Sequence, residues 1–366
     1  RPVDLGYNAE ESLPALILYA ELTGDEDVGR AVLRTAREHL NFMLPDGGWD
    51  NSFGSRSYKW SWWGSRTSDG CLAGFAALSR HDPVFAAAVQ KNLDLLKQCT
   101  HDGLLYGGPM YRTAVEPACI HHTFCHAKSV AALVHDGCQF PAALPRLPSE
   151  TAADTRYYPT IDTVRIWRAT VTGYDYEYLP GGHPTGGMVS LLWHAARGPV
   201  LAGSMDPYRQ NEPNNMQMPR WQFDICTTPR IELRRDGKTY CSSNDLTAAL
   251  TVDKNETSAG GRLRTAAQDA AGWYDFAVSV MPGKVTVTGH SEDADARFIL
   301  PVISPEGENV AWQDVNTVRI GSGPAALTVQ ADRPLTLPPE YGTPVRFRRL
   351  FNPVGGFQSV VLTLPA

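Results

Sequence analysis

No run of lysine or arginine interrupts the chain, and its formal net charge is −6, so the basic track a nucleic acid would require is missing. No apolar stretch approaches the roughly 20 residues needed to cross a bilayer, which argues against a membrane-spanning role. There is no GxSxG elbow, no GxGxxG after a strand and no P-loop. Serine-triad hydrolysis, dinucleotide chemistry and phosphoryl transfer therefore have no support in the sequence. CxxC pairs are absent too. The seven cysteines (Cys71, Cys99, Cys119, Cys125, Cys138, Cys226, Cys241) are odd in number, so no complete disulfide framework is expected. Five of them lie in or beside apolar helical segments, the usual setting of a buried free thiol. Cys119, His121, His122, Cys125 and His126 could begin a zinc site, but the second half of a closed ligand set does not follow. The chain starts at Arg1 with neither methionine nor signal peptide, and is expected to be a fragment or a processed product.

What is present divides the chain in two. With 366 residues there is material for two domains with substantial cores. Over the first ~140 residues, apolar positions recur at helical spacing. Helices are expected at Glu10 to Leu22 (stopped by Gly24), Asp27 to Met43, Ser68 to Leu78, Pro83 to Cys99, and Cys119 to His135 (closed by Gly137). Helices of this length joined by short loops pack as hairpins. A proline-rich linker follows at Phe140 to Ser149. Beyond it the period changes to two. Strands are expected at Thr163 to Thr172, Met188 to Trp193, Pro199 to Gly203, Arg230 to Arg234, Thr247 to Val252, Arg262 to Ala266, Tyr274 to Val280, Lys284 to Gly289, Ala296 to Val302, Thr317 to Ile320, Ala326 to Ala331 and Ser359 to Leu364. Strands without intervening helices imply antiparallel sheets stacked as a sandwich. The expected fold class is α+β multidomain: a helical-hairpin domain over 1–145 and an antiparallel β-sandwich over 146–366.

Three stretches carry candidate chemistry. GGWDNSFGSRSYKWSWWGSRTSDG holds Trp49, Trp60, Trp62 and Trp63 beside Asn51, Arg56, Lys59 and Arg66. Indole faces cover the apolar side of a sugar ring, and cations hold an acid group on it. The bland alternative is a loop packed by its own tryptophans. The second stretch, DGLLYGGPMYRTAVEPACIHHTFCHA, offers Tyr106, Tyr111, Arg112, Glu116, His121, His122 and His126. Gly107, Gly108 and Pro109 break the backbone before Tyr111, so its phenol belongs to a helix entry. His122 and His126, four apart, share a helix face, and His121 points elsewhere. In the third, TGYDYEYLPGGHPTGG, alternation puts Tyr174, Tyr176 and Tyr178 on one strand face, and a Gly-rich turn presents His183. An aromatic stripe on a sheet and an ordinary turn histidine are the plain readings there. Asp50, Asp69 and Glu116 leave open the paired carboxylates of a glycosidase.

Two of these stretches also carry a family likeness. The run from Gly182 to Gly203, histidine turn then strand, turn and strand, resembles the opening of the sheet domain in heparinase II/III-like polysaccharide lyases. The run Asp102-Gly103-Leu104-Leu105-Tyr106 through Pro109-Met110-Tyr111 resembles the segment bearing that family's catalytic tyrosine. The resemblance implies an incomplete (α/α) toroid followed by an antiparallel β-sandwich. It also implies cleavage of a uronic-acid polysaccharide by β-elimination, in which a base removes the C5 proton beside the carboxyl group and an acid protonates the departing oxygen. The intermediate then needs its carboxylate charge neutralised. On this likeness Tyr111 is the acid or acid/base, His122 or His121 the base, Asn51 and Arg66 the neutralising pair, and His183 a contributor from the sheet side. Arg56, Lys59, Trp60, Trp62, Trp63, Tyr106, Arg112 and Tyr176 would bind substrate. Two departures stand out. The family's Asn-His pair at a toroid helix entry is replaced by Thr67-Ser68-Asp69-Gly70. Some members hold a sheet-domain zinc, and Leu201-Ala202-Gly203-Ser204 stands where its aspartate would be sought.

The expected function is therefore a polysaccharide lyase. The alternatives are a glycoside hydrolase on an α/α toroid using paired carboxylates and a non-catalytic carbohydrate-binding protein. An acidic polysaccharide is the expected partner, with no nucleic acid and no membrane; oligomeric state stays open. No cofactor is expected, a structural zinc or calcium ion being left open and not predicted. The expected location is secreted or periplasmic.

Overall fold

The computed structural model describes residues 8–49, 72–105 and 120–151, and then 156–158, 163–166, 169–172, 188–194, 196–202, 229–242, 251–252, 258–264, 272–281, 283–291, 293–304, 308–336, 348–353 and 359–363. These fall into two compact units, one running to Ala152 and one beginning at Ala153.

The first unit is helical. A π-helical turn, Asn8–Ser12, leads into α1 (Leu13–Thr23), which Gly24 ends in the left-handed conformation with its N–H on the Ala20 carbonyl. Asp25 then caps α2 (Glu26–Leu40), its Oδ1 accepting the Val28 N–H at 3.0 Å. The first turn of α2 is acidic (Glu26, Asp27) and its last basic (Arg37, His39), the charge order that the helix dipole favours. The expected extension of α2 to Met43 does not occur, because Met43 pairs instead with Trp49 in a β-bridge. Two more helices follow, α3 (Leu72–Leu78) and α4 (Val84–Cys99), then a short hairpin of β1 (Thr100–His101) and β2 (Leu104–Leu105), and α5 (Ile120–His135). α1 packs on α2 and α3, and α3 packs on α4 and α5. The core is aromatic at its centre: Trp49 meets Phe75 edge-on (6.2 Å, 83°), and Phe75 meets Phe85 likewise (5.1 Å, 70°).

The short helix α6 (Pro148–Thr151) belongs to this unit. Glu150 reaches back to the Leu147 N–H (2.7 Å) in the manner of a capping box, and Lys91 of α4 donates to its other oxygen at 2.9 Å. Burial opposes ionisation of Glu150. The hydrogen bonds from Lys91 and Leu147, with the charges of Lys91 and Arg146, outweigh it and hold the carboxyl below its ordinary range. A depressed carboxylate pKa stabilises the fold above the ordinary value, and that contribution is lost as pH falls through the folded value. Glu150→Gln is therefore expected to lower the urea midpoint at neutral pH by the equivalent of about 1 kcal/mol or less, the gap to the parent closing under acid. A gap that stays constant from neutral pH to pH 3 would contradict this assignment.

The second unit is built of strands. β3 (Arg156–Tyr158), β4 (Thr163–Ile166), β5 (Ala169–Thr172), β6 (Met188–His194) and β7 (Gly198–Ala202) form one five-stranded antiparallel sheet in chain order. The stretch Thr163 to Thr172, expected as one strand, is thus a hairpin: Ile166 pairs with Ala169. β8 (Arg230–Arg235) and β9 (Lys238–Cys241) form a hairpin about Asp236 (φ 52°) and Gly237 (φ 73°), the positive pair a two-residue turn requires. Then come β10 (Thr251–Val252), β11 (Ser258–Arg264), β12 (Trp273–Met281), β13 (Lys284–Ser291), β14 (Arg297–Ile303), β15 (Val310–Asp314), β16 (Thr317–Ile320), β17 (Leu327–Ala331), β18 (Leu335–Thr336), β19 (Arg348–Pro353) and β20 (Ser359–Thr363). They make an eight-stranded sheet in the order β10-β11-β12-β13-β20-β17-β16-β15, and with β8 and β9 a five-stranded one, β18-β19-β14-β8-β9. Burial alternates strictly at the start of β12 and β13, as period two demands. One apolar cluster joins all three sheets: Leu192 and Val200, Ile231 and Phe298, and Val278, Val329 and Leu362.

The turn between β6 and β7 is tied into this unit by charge. Arg197 donates to the carbonyls of Ala325 (2.7 Å) and Ile320 (3.3 Å) and pairs with Glu308 at 3.0 Å. Glu308 also accepts the Ser304 hydroxyl at 2.6 Å. The arginine side chain is 6% exposed and the glutamate 18%.

Candidate functional site

The first candidate stretch leaves the helical core at a tight turn. The Leu44 N–H donates to the Gly48 carbonyl at 2.7 Å, and Asp46 accepts the Gly48 N–H. This turn lies against α4: Asn92 donates to the Gly47 carbonyl at 2.9 Å, and Lys91 to that of Pro45 at 3.1 Å. Gly47 has φ +88°, and a Cβ there would stand 2.4 Å from the Lys91 carbonyl, so only glycine allows the turn to seat. Trp49 comes next, and it corrects the expectation of a fourth sugar-facing indole. Its side chain is fully buried against Phe75 and belongs to the core. Asn51, Arg56, Lys59, Trp60, Trp62, Trp63 and Arg66 follow and lie outside the described residues, as do Thr67-Ser68-Asp69-Gly70.

The second stretch leaves β2. Asp102 (φ 53°) and Gly103 (φ 76°) close the β1–β2 hairpin in the conformation that an Asp-Gly pair favours. In such a hairpin the pair flanking the turn, His101 and Leu104, exchanges the backbone hydrogen bonds, and the next pair, Thr100 and Leu105, does not. The Leu105 N–H therefore points away from β1. It is taken by the Oγ1 of Thr123 in the first turn of α5, at 2.9 Å. Tyr106, Tyr111, Arg112 and Glu116, between these two elements in sequence, lie outside the described residues. His121 and His122 are on α5, where the backbone is described and these side chains are not. By helical register position 122 falls on the face of His126 and Leu133, both buried, and position 121 on that of Phe124 and Lys128, both exposed. His126, sequence partner of His122, is thus an interior residue. Thr123 was not singled out in the sequence; its only signal there was its place one residue after the two histidines.

The third stretch, with Tyr174, Tyr176, Tyr178 and His183, also lies outside the described residues. The strands on either side of it, β5 and β6, are direct neighbours, with Thr172 opposite Met188.

Among the described residues no three His, Cys, Asp or Glu side chains are placed to hold a metal ion. Burial, with Asp136 adding to it and Arg80 opposing, pushes the Cys138 thiol up, which favours the inert protonated form. A groove of about 420 Å³ lies along α1 and α2, lined among others by Ile17, Glu21, Gly29, Arg30 and His81; no sequence-nominated residue borders it. No described helix is long and apolar enough to cross a membrane.

The comparisons with known proteins define a class first, a polysaccharide lyase family with an N-terminal and a C-terminal domain. The family model described as the ulvan lyase N-terminal domain matches residues 1–150, and that of the ulvan lyase C-terminal domain matches residues 155–366. The chain belongs to the ulvan lyase family. It is 37% identical to the broad-specificity ulvan lyase of Formosa agariphila over 99% of its own length, and spans 59% of the length of that relative. Two solved structures are more remote. A mutant chondroitin AC lyase from Streptomyces coelicolor A3 shares 11% identity over 98% of this chain and 60% of that one, with a TM-score of 0.32. The Slr1438 protein of Synechocystis sp. PCC 6803 shares 12% over 58% of this chain and 96% of that one, with a TM-score of 0.30.

Proposed function

We propose that this protein is a polysaccharide lyase that cleaves a uronic-acid-containing glycan of the ulvan class by β-elimination. The observation that carries the reading is the 37% identity to a broad-specificity ulvan lyase along 99% of the chain, with both family domains matched in order. In the reaction a base takes the C5 proton, the electron pair forms the C4–C5 double bond, the bond from C4 to the glycosidic oxygen breaks, and an acid returns a proton to that oxygen. Tyr111 is proposed as acid or acid/base and His122 or His121 as base. A phenol with an ordinary pKa of ~10 serves as acid without adjustment and as base only beside cations. Asn51 and Arg66 are proposed to neutralise the carboxylate, with His183 a further contributor. Arg56, Lys59, Trp60, Trp62, Trp63, Tyr106, Arg112 and Tyr176 are proposed to bind the acidic sugar. No cofactor enters this scheme.

The finer fold assignment belongs to the same proposal. It is a heparinase II/III-like arrangement, an incomplete (α/α) toroid of helical hairpins followed by an antiparallel β-sandwich, with the boundary expected at 145/146 moved to 152/153 because α6 belongs to the helical unit. Helix pairs that pack in series support the first part, and three antiparallel sheets sharing one apolar cluster support the second. An extracytoplasmic location fits a polymer substrate too large to enter a cell.

Incubation with ulvan and other uronate glycans tests the activity. A rise in ultraviolet absorbance from the unsaturated uronate is expected. Release of reducing ends without absorbance would overturn the reading in favour of a hydrolase, and binding without product would reduce the protein to a carbohydrate-binding module.

A further inference from the structure

We infer that Thr123 is a positioning residue: its hydroxyl, by accepting the Leu105 N–H, fixes the end of β2 against the first turn of α5 and so sets the entry of the helix that carries His121 and His122. The inference rests on the lyase reading above for what those histidines do, and on the structure for the clamp itself.

The clamp follows from three features. The hairpin geometry leaves the Leu105 N–H without a partner on β1, so β2 needs an acceptor from elsewhere. Leu105 is buried, at 4% exposure, where an unmet donor is costly. Thr123 supplies the oxygen at 2.9 Å. The body of α5 is held differently, by buried His126 and Leu133 and by packing on α3. Helix ends fray when their first turn is untethered, and His121 and His122 sit in that turn. The same hydrogen bond closes the chain on either side of 106–119, since β2 runs directly into Tyr106 and α5 begins at Ile120. The hydroxyl thus adds a directed bond between two elements that also pack on one another and that flank the second candidate stretch. A displacement of about 1 Å between reacting groups costs on the order of 100-fold in rate without weakening binding in proportion.

Thr123→Val removes the acceptor at nearly constant shape, and Thr123→Ser keeps it. In the ultraviolet assay on ulvan, with the full chain, Thr123→Val is expected to lower kcat by roughly 10- to 100-fold with KM nearly unchanged, and Thr123→Ser to restore most of it. Amide exchange at Leu105 is expected to be slow in the parent and the serine variant and fast in the valine variant. Full kcat in Thr123→Val would overturn the inference while leaving the lyase reading intact. So would a loss that serine does not rescue and that tracks melting temperature. A parent protein that yields no unsaturated product would overturn the lyase reading, and the positioning role with it; the exchange data would then describe a structural clamp only.

Discussion

Tyr111→Phe is expected to abolish the ultraviolet-absorbing product while leaving the circular dichroism spectrum and melting temperature close to those of the parent. The substitution deletes one oxygen and keeps the ring, so any packing role survives and any proton transfer does not. A positioned acid or base contributes typically 10²- to 10⁴-fold to rate, and a loss in that range is the expected reading in kcat. KM should move little, because the phenol acts on the departing oxygen or the C5 proton and not on the bulk of the sugar. If the variant turned over at the parent rate, Tyr111 would leave the mechanism, and the acid would have to be sought among His121, His122 and His183. If instead the variant unfolded, the tyrosine would be a packing residue like Trp49.

The second large effect is on stability. Arg197→Ala is expected to destabilise the strand unit by about 3–5 kcal/mol in urea unfolding, because it strands a mostly buried carboxylate, Glu308, and releases two carbonyls at once. Only Ser304 would remain on that carboxylate among the contacts described here. Adding Glu308→Gln to Arg197→Met should recover part of the loss, since an apolar stem against a neutral amide leaves no charge out of water. The double-mutant cycle over these two positions therefore has a sign as well as a size. A cost under about 1 kcal/mol for Arg197→Ala would place the pair with exposed ion pairs, which contribute little.

The long elements were legible in advance. α4 has a proline at its N-cap, a continuous apolar face and a polar stop, and its observed span, Val84–Cys99, differs from the expected one by a single residue. The β12–β13 hairpin announces itself by alternation on both sides of Pro282-Gly283. The short elements were not. β9 (KTYC) and β15 (VAWQD) are too short to show an alternation, and both hold their places by pairing with neighbours, β8 and β16. Thr163 to Thr172 read as one strand because Thr-Val-Arg-Ile and Ala-Thr-Val-Thr keep a similar texture, and no glycine, proline or asparagine marks the turn between them. Trp49 read as a ligand-facing indole because it stands beside three others in sequence. Its burial depends on Phe75, which is 26 residues away.

By itself the sequence determined the order of the molecule, helices and then antiparallel strands, and the polysaccharide lyase class; the ulvan lyase family itself was not named by it. Hydrophobic period and turn residues are local properties, and neighbouring residues suffice to state them. The tertiary structure decided which of several identical residue types does what: that Trp49 packs, that Arg197 neutralises a partly buried glutamate 111 residues on, and that Thr123 accepts a hydrogen bond from the Leu105 N–H, 18 residues back. An indole, a guanidinium or a hydroxyl has the same chemistry in a core as in a binding site. Its role is set by partners brought near by folding, and sequence spacing does not record those distances.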